Sequence, residues 1–358
     1  MKFIHVASYK DEFFNGIKSV LMELVPEQRN LGHKVYVFNQ DYNEREIIPG
    51  EIYIPTQKEF EKNIELINPD FVILHSLYGI SDLRFSWYLN KKKIPYFIEP
   101  HGGTTIDNAQ KNWLKKKIAN TLYANRFICK AAGLIYLNEI EAHECVFKDI
   151  RKNFAIVPNG TYIHEIQKKN TNLKVHFIFL SRIDIIQKGL DLLFPALDQF
   201  NKSPYKEKAE FHFYGKARLP EFEKAFNDYI EASGDNIFFH GPVVGEEKTA
   251  AFRDADIFIL TSRYEGMPMA VLEALSYGVP CLLTPQTNVA NIIKSENCGW
   301  IADLNIESIF KCIIDAITDF DNKRDQLIVN SLNAAKKFTW DRIASKSIHE
   351  YSRIIDLS

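Results

Sequence analysis

Two glutamates separated by seven residues, Glu265 and Glu273, lie in the stretch Tyr264 to Gly278, which reads YEGMPMAVLEALSYG. Carboxylates accept sugar hydroxyls, and acidic residues hold ribose in dinucleotide sites. Between the two, Gly266 lets a ligand approach the backbone. Pro268 suits the first position of a helix, where a missing N–H costs nothing. Gly278 suits the left-handed residue that stops one. The pattern predicts a helix from Pro268 to Tyr277. Its first turn, near Met267 and Met269, presents N–H groups and the positive end of the helix dipole, where phosphate binds well. Glu273 shares a helix face with Met269 and Ala270. The same glutamates would serve equally as a dipole complement and an ordinary helix former, and the pair alone leaves both readings open.

Other residues join them by position. Arg182 and Lys188, in SRIDIIQKG (Ser181 to Gly189), stand at a strand end and just before a helix. Two cations there can clamp a diphosphate, arginine as a fork and lysine as a point charge. Solvated surface cations are the competing reading. His101 ends the run YFIEPH and precedes Gly102 and Gly103, although an isolated histidine is more often structural. Gly16 follows the first strand and could let a sugar or phosphate approach, or merely open a helix. Val243, after Gly241 and Pro242, follows a later strand.

These positions need a scaffold of strand tips. Lys2–Ser8, Lys34–Asn39, Asn68–Ser76, Tyr96–His101, Gly133–Asn138 and Phe154–Asn159 read as strands, with a helix from Ile17 to Leu31 that stops at Gly32. The polar segment Tyr162 to Asn172 reads as a linker. Strands resume at Val175–Ser181, Glu210–Gly215, Asn236–Gly241, Asp256–Ser262, Val279–Thr284 and Gly299–Asp303. The tail, Phe338 to Asp356, is an amphipathic helix. Alternation of this kind gives an α/β chain of two doubly wound, Rossmann-like domains facing each other across a cleft, with ligands at the carboxyl ends of the strands. The expected division is 1–165, 173–337 and a tail at 338–358.

With 358 residues, 46% of them hydrophobic, the chain is long enough for two cores. A net charge of −2 argues against a nucleic-acid partner. Five scattered cysteines without metal-ligand spacing suggest buried thiols in a reducing cytosol. The N-terminus does not read as a signal peptide, and no run is long enough to span a membrane. Asn108 to Asn138 lacks acidic residues, and lysines alternate with apolar side chains over 111–130. That segment is either a solvated helix or a peripheral contact with an anionic membrane surface. No GxGxxG follows an early strand, which argues against a nicotinamide enzyme.

The run EGMPMAVLEALSYGVP resembles the signature of retaining glycosyltransferases of family 4, the glycosyl transferases group 1. SRID…KG, the Pro-His-Gly at His101 and Pro158-Asn159-Gly160 are similar to further segments of that family. The resemblance implies the GT-B fold, in which the tail crosses back to the first domain, and sugar transfer without metal or other cofactor. The donor is a nucleotide-sugar, a UDP-sugar being favoured, and the acceptor a saccharide or lipid-linked molecule. It assigns Glu265 to the donor sugar, Gly266, Met267 and Met269 to sugar and phosphate, and Glu273 to ribose. Arg182 and Lys188 fall to the diphosphate, Val243 to the base, and His101 to the reacting centre. The family has a glycine pair where this chain has Asn15-Gly16, so only Gly16 carries over. The implied setting is surface polysaccharide synthesis in the cytoplasm, peripheral to the inner membrane face. A non-catalytic binding protein and a sugar-nucleotide epimerase of the same architecture are the alternatives.

Overall fold

The computed structural model describes residues 1–10, 15–77, 79–102, 125–150, 153–165, 174–217 and 219–356. The chain divides into two compact units, Met1–Gly160 with Trp340–Ser358, and Thr161–Thr339.

The first unit holds seven parallel strands: β1 (Lys2–Ala7), β2 (Lys34–Asn39), β3 (Glu51–Tyr53), β4 (Phe71–Leu74), β5 (Tyr96–Ile98), β6 (Gly133–Tyr136) and β7 (Phe154–Ile156). Their spatial order is β3-β2-β1-β4-β5-β6-β7. Helices α1 (Gly16–Asn30), α2 (Gln57–Ile67), α3 (Ile80–Lys92), α4 (Asn125–Lys130) and α5 (Glu139–Glu144) connect them. The chain winds outward from β1 in one direction and from β4 in the other, so the switch point lies between these two neighbours. The central strands are buried along their length, which is why they read as continuous apolar runs rather than alternating ones.

The second unit repeats the plan with β8 (Val175–Leu180), β9 (Ala209–Tyr214), β10 (Ile237–Phe239), β11 (Ile257–Leu260), β12 (Cys281–Leu283) and β13 (Gly299–Ile301). Its order is β10-β9-β8-β11-β12-β13, with the switch between β8 and β11. Its helices are α6 (Leu190–Asn201), α7 (Pro220–Ala232), α8 (Gly245–Asp254), α9 (Met269–Ser276), α10 (Ala290–Glu296) and α11 (Ile306–Ala335). The tail forms α12 (Trp340–Ile355), which packs on α1 and β7 of the first unit. It buries Trp340, Ile343, Ala344, Ser347, Tyr351 and Ile354 along one stripe. Each large apolar side chain of that stripe contributes about 2 kcal/mol.

Strands are shorter than the apolar runs that announced them. The run Tyr96–His101 leaves the sheet after Ile98, because Pro100 lacks a ladder N–H and His101 and Gly102 turn to positive φ (48° and 77°). Pro268 is the cap of α9 rather than its first residue, with ψ at 119°, so the helix starts one residue later than its sequence suggests. Most of the basic segment 111–130 lies outside the described residues, and its described end is the short α4. Cys129 is exposed, while Cys145, Cys281, Cys298 and Cys312 are buried. Among the described residues no helix is long and apolar enough to cross a membrane.

Candidate functional site

In the second unit the loops after β8 and β11 meet at the switch point. Lys188 Nζ donates to Glu265 Oε1 at 2.6 Å, and Ser262 Oγ donates to the same oxygen at 2.6 Å. The Lys188 and Glu265 side chains are only 7% and 10% exposed. A buried pair of this kind holds together because each charge has the other, and it is costly to break from one side. The loop geometry is built for it. Gly189 has φ of +65°, and a Cβ there would collide with the carbonyl oxygen of Thr261. The glycine therefore lets the Lys188 loop press against the end of β11. Thr261 Oγ1 donates to the carbonyl of Lys188 at 3.1 Å, and Arg263 forks onto Asp191 at 2.6 and 2.8 Å. The backbone of Glu265 is tied to the loop after β12, donating to Gln286 O at 3.1 Å and accepting from Asn288 Nδ2 at 2.7 Å.

Arg182 lies in the same loop as Lys188 and donates to Gln187 Oε1 at 3.2 Å. Gly266 and Met267 lead into α9, whose first residue is Met269. Glu273 accepts from Lys248 Nζ of α8 at 2.6 Å, a partially exposed pair. Beyond the tips of β9 and β10, a cavity of about 230 Å³ is lined by Ile183, Gly215, Lys216, Phe239, Gly241 and Pro242. Gly241 and Pro242 of the predicted base segment line it, and Val243 follows directly. Ser262, Gln187 and Lys248 were missed by sequence reasoning, since nothing local distinguishes a polar residue that becomes a partner only after folding.

In the first unit, Gly16 is the first residue of α1, capped by Asn15, and no side chain among the described residues crowds it. His101 sits beyond β5 in a chain of side chains. Ser347 Oγ donates to Ala344 O, and Gln28 Nε2 donates to Ser347 Oγ at 3.0 Å, so Gln28 Oε1 faces His5. The pattern then assigns every ring proton. His5 Nε2–H donates to Gln28 Oε1 (2.9 Å), His75 Nε2–H to His5 Nδ1 (2.8 Å), and His101 Nε2–H to His75 Nδ1 (2.8 Å). The lone pair of His101 Nδ1 is left 3.6 Å from Glu99 Oε1. Burial holds His5 and His101 down at about 4 and His75 well below its usual range, so all three rings are neutral near pH 7. Burial, helped by the nearby Glu141 carboxylate, pushes Glu99 up to about 8. Glu141 clamps the turn by accepting from Gly102 N at 2.6 Å and Leu137 N at 2.8 Å. His75 stands just after β4, the strand-end signal that drew attention to His101, and could have been found by it, whereas His5 lies inside β1 and carries no such signal.

His75, Glu99 and His101 also form a set of potential metal ligands that residue spacing did not reveal, because two separate strand ends, those of β4 and β5, supply the set. The ring nitrogens of His75 and His101 are already joined to each other at 2.8 Å, which takes up the lone pair of His75 Nδ1.

Glu99 gives a measurable pH signature. Its folded-state value lies above its unfolded one, so the folded chain keeps a proton that the unfolded chain loses between about pH 4.5 and 8. Its contribution to stability is therefore full below that window and declines as pH rises through it. Relative to wild type, Glu99→Gln should gain stability progressively from pH 4.5 to 8 and show a constant difference outside that window. Urea unfolding at a series of pH values measures it. A pH-independent difference would mean that Glu99 is ionised in the fold.

Each unit is a doubly wound parallel sheet, and the second carries cations and carboxylates at its strand tips. Residues 174–319 match the family model described as Glycosyl transferases group 1. An uncharacterized 41.2 kDa protein in the cps region of Klebsiella pneumoniae is 29% identical over 68% of this chain and 67% of its own. The N,N'-diacetylbacillosaminyl-diphospho-undecaprenol alpha-1,3-N-acetylgalactosaminyltransferase of Campylobacter jejuni is 24% identical over 97% of this chain and 92% of its own. Other curated relatives align over as little as 23% of their length. Among solved structures, HepE of Anabaena in complex with UDP superposes with a TM-score of 0.76 at 14% identity, over 99% of this chain and all of the other. The chain has the GT-B fold, and residues 174–319 resemble the glycosyl transferases group 1 family.

Proposed function

We propose that the chain is a retaining hexosyltransferase. It moves a sugar from a nucleotide-sugar, a UDP-sugar being favoured, to a saccharide or lipid-linked acceptor in surface polysaccharide or glycoconjugate synthesis. The observation that carries this reading is the buried Lys188–Glu265–Ser262 cluster at the switch point of the second unit, beside Arg182 and the start of α9. Two relatives support the ligand classes. The Anabaena structure contains UDP, and the Campylobacter enzyme is named for a diphospho-undecaprenol acceptor.

The chemistry follows from charge. As the bond between sugar and phosphate stretches, negative charge gathers on the departing diphosphate and positive charge on the sugar ring. Lys188 has three N–H donors; one stays on Glu265, and the others can meet phosphate oxygens. Arg182 and the first turn of α9 add to this preorganised field. Glu265 spends Oε1 on Lys188 and Ser262, which leaves Oε2 for a sugar hydroxyl. Glu273 likewise has Oε1 on Lys248 and offers Oε2 to ribose. The acceptor oxygen bonds the sugar carbon on the face the diphosphate leaves. Its proton passes to the leaving phosphate oxygen, so no enzyme nucleophile is needed. Two protein cations balance the diphosphate, and the reaction runs without metal. His101 positions sugar and acceptor. Cytoplasmic placement, peripheral to the membrane through 111–130, belongs to the same proposal.

Calorimetric titration with UDP, GDP, ADP and their common sugar conjugates, without metal, tests it. One nucleotide should bind wild type, Arg182→Ala should weaken it about tenfold or more, and Glu273→Ala should weaken it as well. Wild type that binds none of these ligands would overturn the donor-site assignment and favour the non-catalytic alternative.

A further inference from the structure

Away from the donor loops, the second unit carries a second cluster, on one face of its sheet. Glu210 and His212 are two residues apart on β9 and so share a face. His176 on β8 lies in register with Glu210. On this face the three side chains are only half buried, unlike the alternating Phe177, Phe211 and Phe213 of the opposite face. Glu210 Oε2 lies 3.5 Å from His176 Nε2 and 3.8 Å from His212 Nε2, and the three ligand atoms all fall within 4.8 Å of one another.

We propose that His176, Glu210 and His212 form a binding site for a zinc-class divalent transition metal, with a fourth position open to solvent.

The distances favour an ion over hydrogen bonding. Neither imidazole nitrogen is close enough to Oε2 for a good hydrogen bond. Ligand bonds of ~2.0–2.1 Å in a tetrahedron place donor atoms ~3.4 Å apart, which the observed spacings approach to within a few tenths of an ångström for both carboxylate edges. His212 Nε2 is shielded from solvent and has no hydrogen-bond partner among the described residues. A buried polar nitrogen in that state needs an explanation, and a metal ion supplies one. Its other nitrogen, Nδ1, is 2.9 Å from His240 Nε2, with the two rings stacked at 5.2 Å. When Nδ1–H donates to His240, the lone pair of Nε2 points toward Glu210, the arrangement that outer partners impose on metal-bound histidines. Lys174 Nζ holds the other carboxylate oxygen, Oε1, at 3.1 Å, which orients Oε2 as a single ligand atom. Its positive charge also opposes a dication, so this lysine sets the affinity. All three ligands stand on adjacent strands, which hold such a constellation more firmly than loops do.

Titration of zinc chloride, and separately magnesium chloride, into the metal-stripped full chain tests the site. Wild type should bind one zinc ion that is lost or weakened at least tenfold in His176→Asn, Glu210→Gln and His212→Asn. His240→Ala should weaken it about 10–100-fold. Lys174→Met, which removes no ligand, should bind zinc more tightly than wild type, and this variant keeps the test valid if a histidine variant folds poorly. Magnesium should not bind there, because imidazole favours transition metals. Cobalt(II) in place of zinc should give the intense visible absorption of a tetrahedral site. Zinc binding that persists unchanged in His176→Asn and His212→Asn would overturn the assignment. So would binding abolished by His101→Asn alone, or the absence of zinc binding altogether.

Discussion

Replacing Lys188 by methionine should lower the rate of sugar transfer about 10²–10³-fold, the loss seen when one preorganised charge-stabilising group is removed. Two effects would combine in that number, and the structure shows how to separate them. Lys188 and Glu265 are a buried pair joined at 2.6 Å, so methionine leaves a carboxylate with Ser262 as its remaining side-chain donor. Breaking a buried pair from one side costs about 3–5 kcal/mol of stability, whereas replacing both partners with apolar groups of similar volume is often neutral. The double variant Lys188→Met/Glu265→Leu should therefore regain most of the lost stability in thermal melts. It should stay inactive, because neither the phosphate cation nor the sugar-hydroxyl acceptor returns. If the double variant recovered both stability and turnover, the pair would be a structural strut and the donor site would lie elsewhere.

The second large effect is expected at His101. Its φ of 48° is a conformation that alanine adopts with strain and asparagine more readily. His101→Asn is accordingly the cleaner variant, with His101→Ala as the harsher comparison. Turnover should fall about 10²-fold in His101→Asn, the loss that misplacing the reacting groups by about an ångström can cause. The nucleotide affinity should be unchanged, since that affinity belongs to the second unit. Glu99→Gln should retain most activity near pH 7, because the carboxyl it replaces, pushed up to about 8, is mostly neutral there. Steady-state kinetics that separate kcat from KM check both. Full turnover in His101→Asn would remove the histidine from the reaction, and loss of nucleotide binding would reassign it to the donor.

Much of this molecule was legible as residues in a row. Parallel strands buried on both faces need unbroken apolar runs, so VHFIFL and DIFIL announce their sheet without any knowledge of their neighbours. Helix punctuation is equally local. The glycine after α9 takes a φ of 72° and appears as the stop it promised to be. The loops that carry Arg182, Lys188, Glu265 and His101 were found because, in such sheets, ligands bind at strand ends. Peripheral elements such as β3, α2 and α7 carried weaker punctuation and passed unnoticed.

What sequence alone settled was therefore the order of strands and helices and the identity of most charged groups at their tips, since both depend on contacts a few residues apart. Tertiary structure decided partnership. Lys188 and Glu265 are 77 positions apart, and their pairing exists only because β8 and β11 are neighbours across the switch point. The three-histidine chain draws on β1, β4 and β5 and is anchored by Gln28 and Ser347, which are 319 positions apart. His176 meets Glu210 only through the register of β8 on β9. Protonation states belong to the same level, because burial and neighbouring charge set them, and neither is a property of a residue read in line.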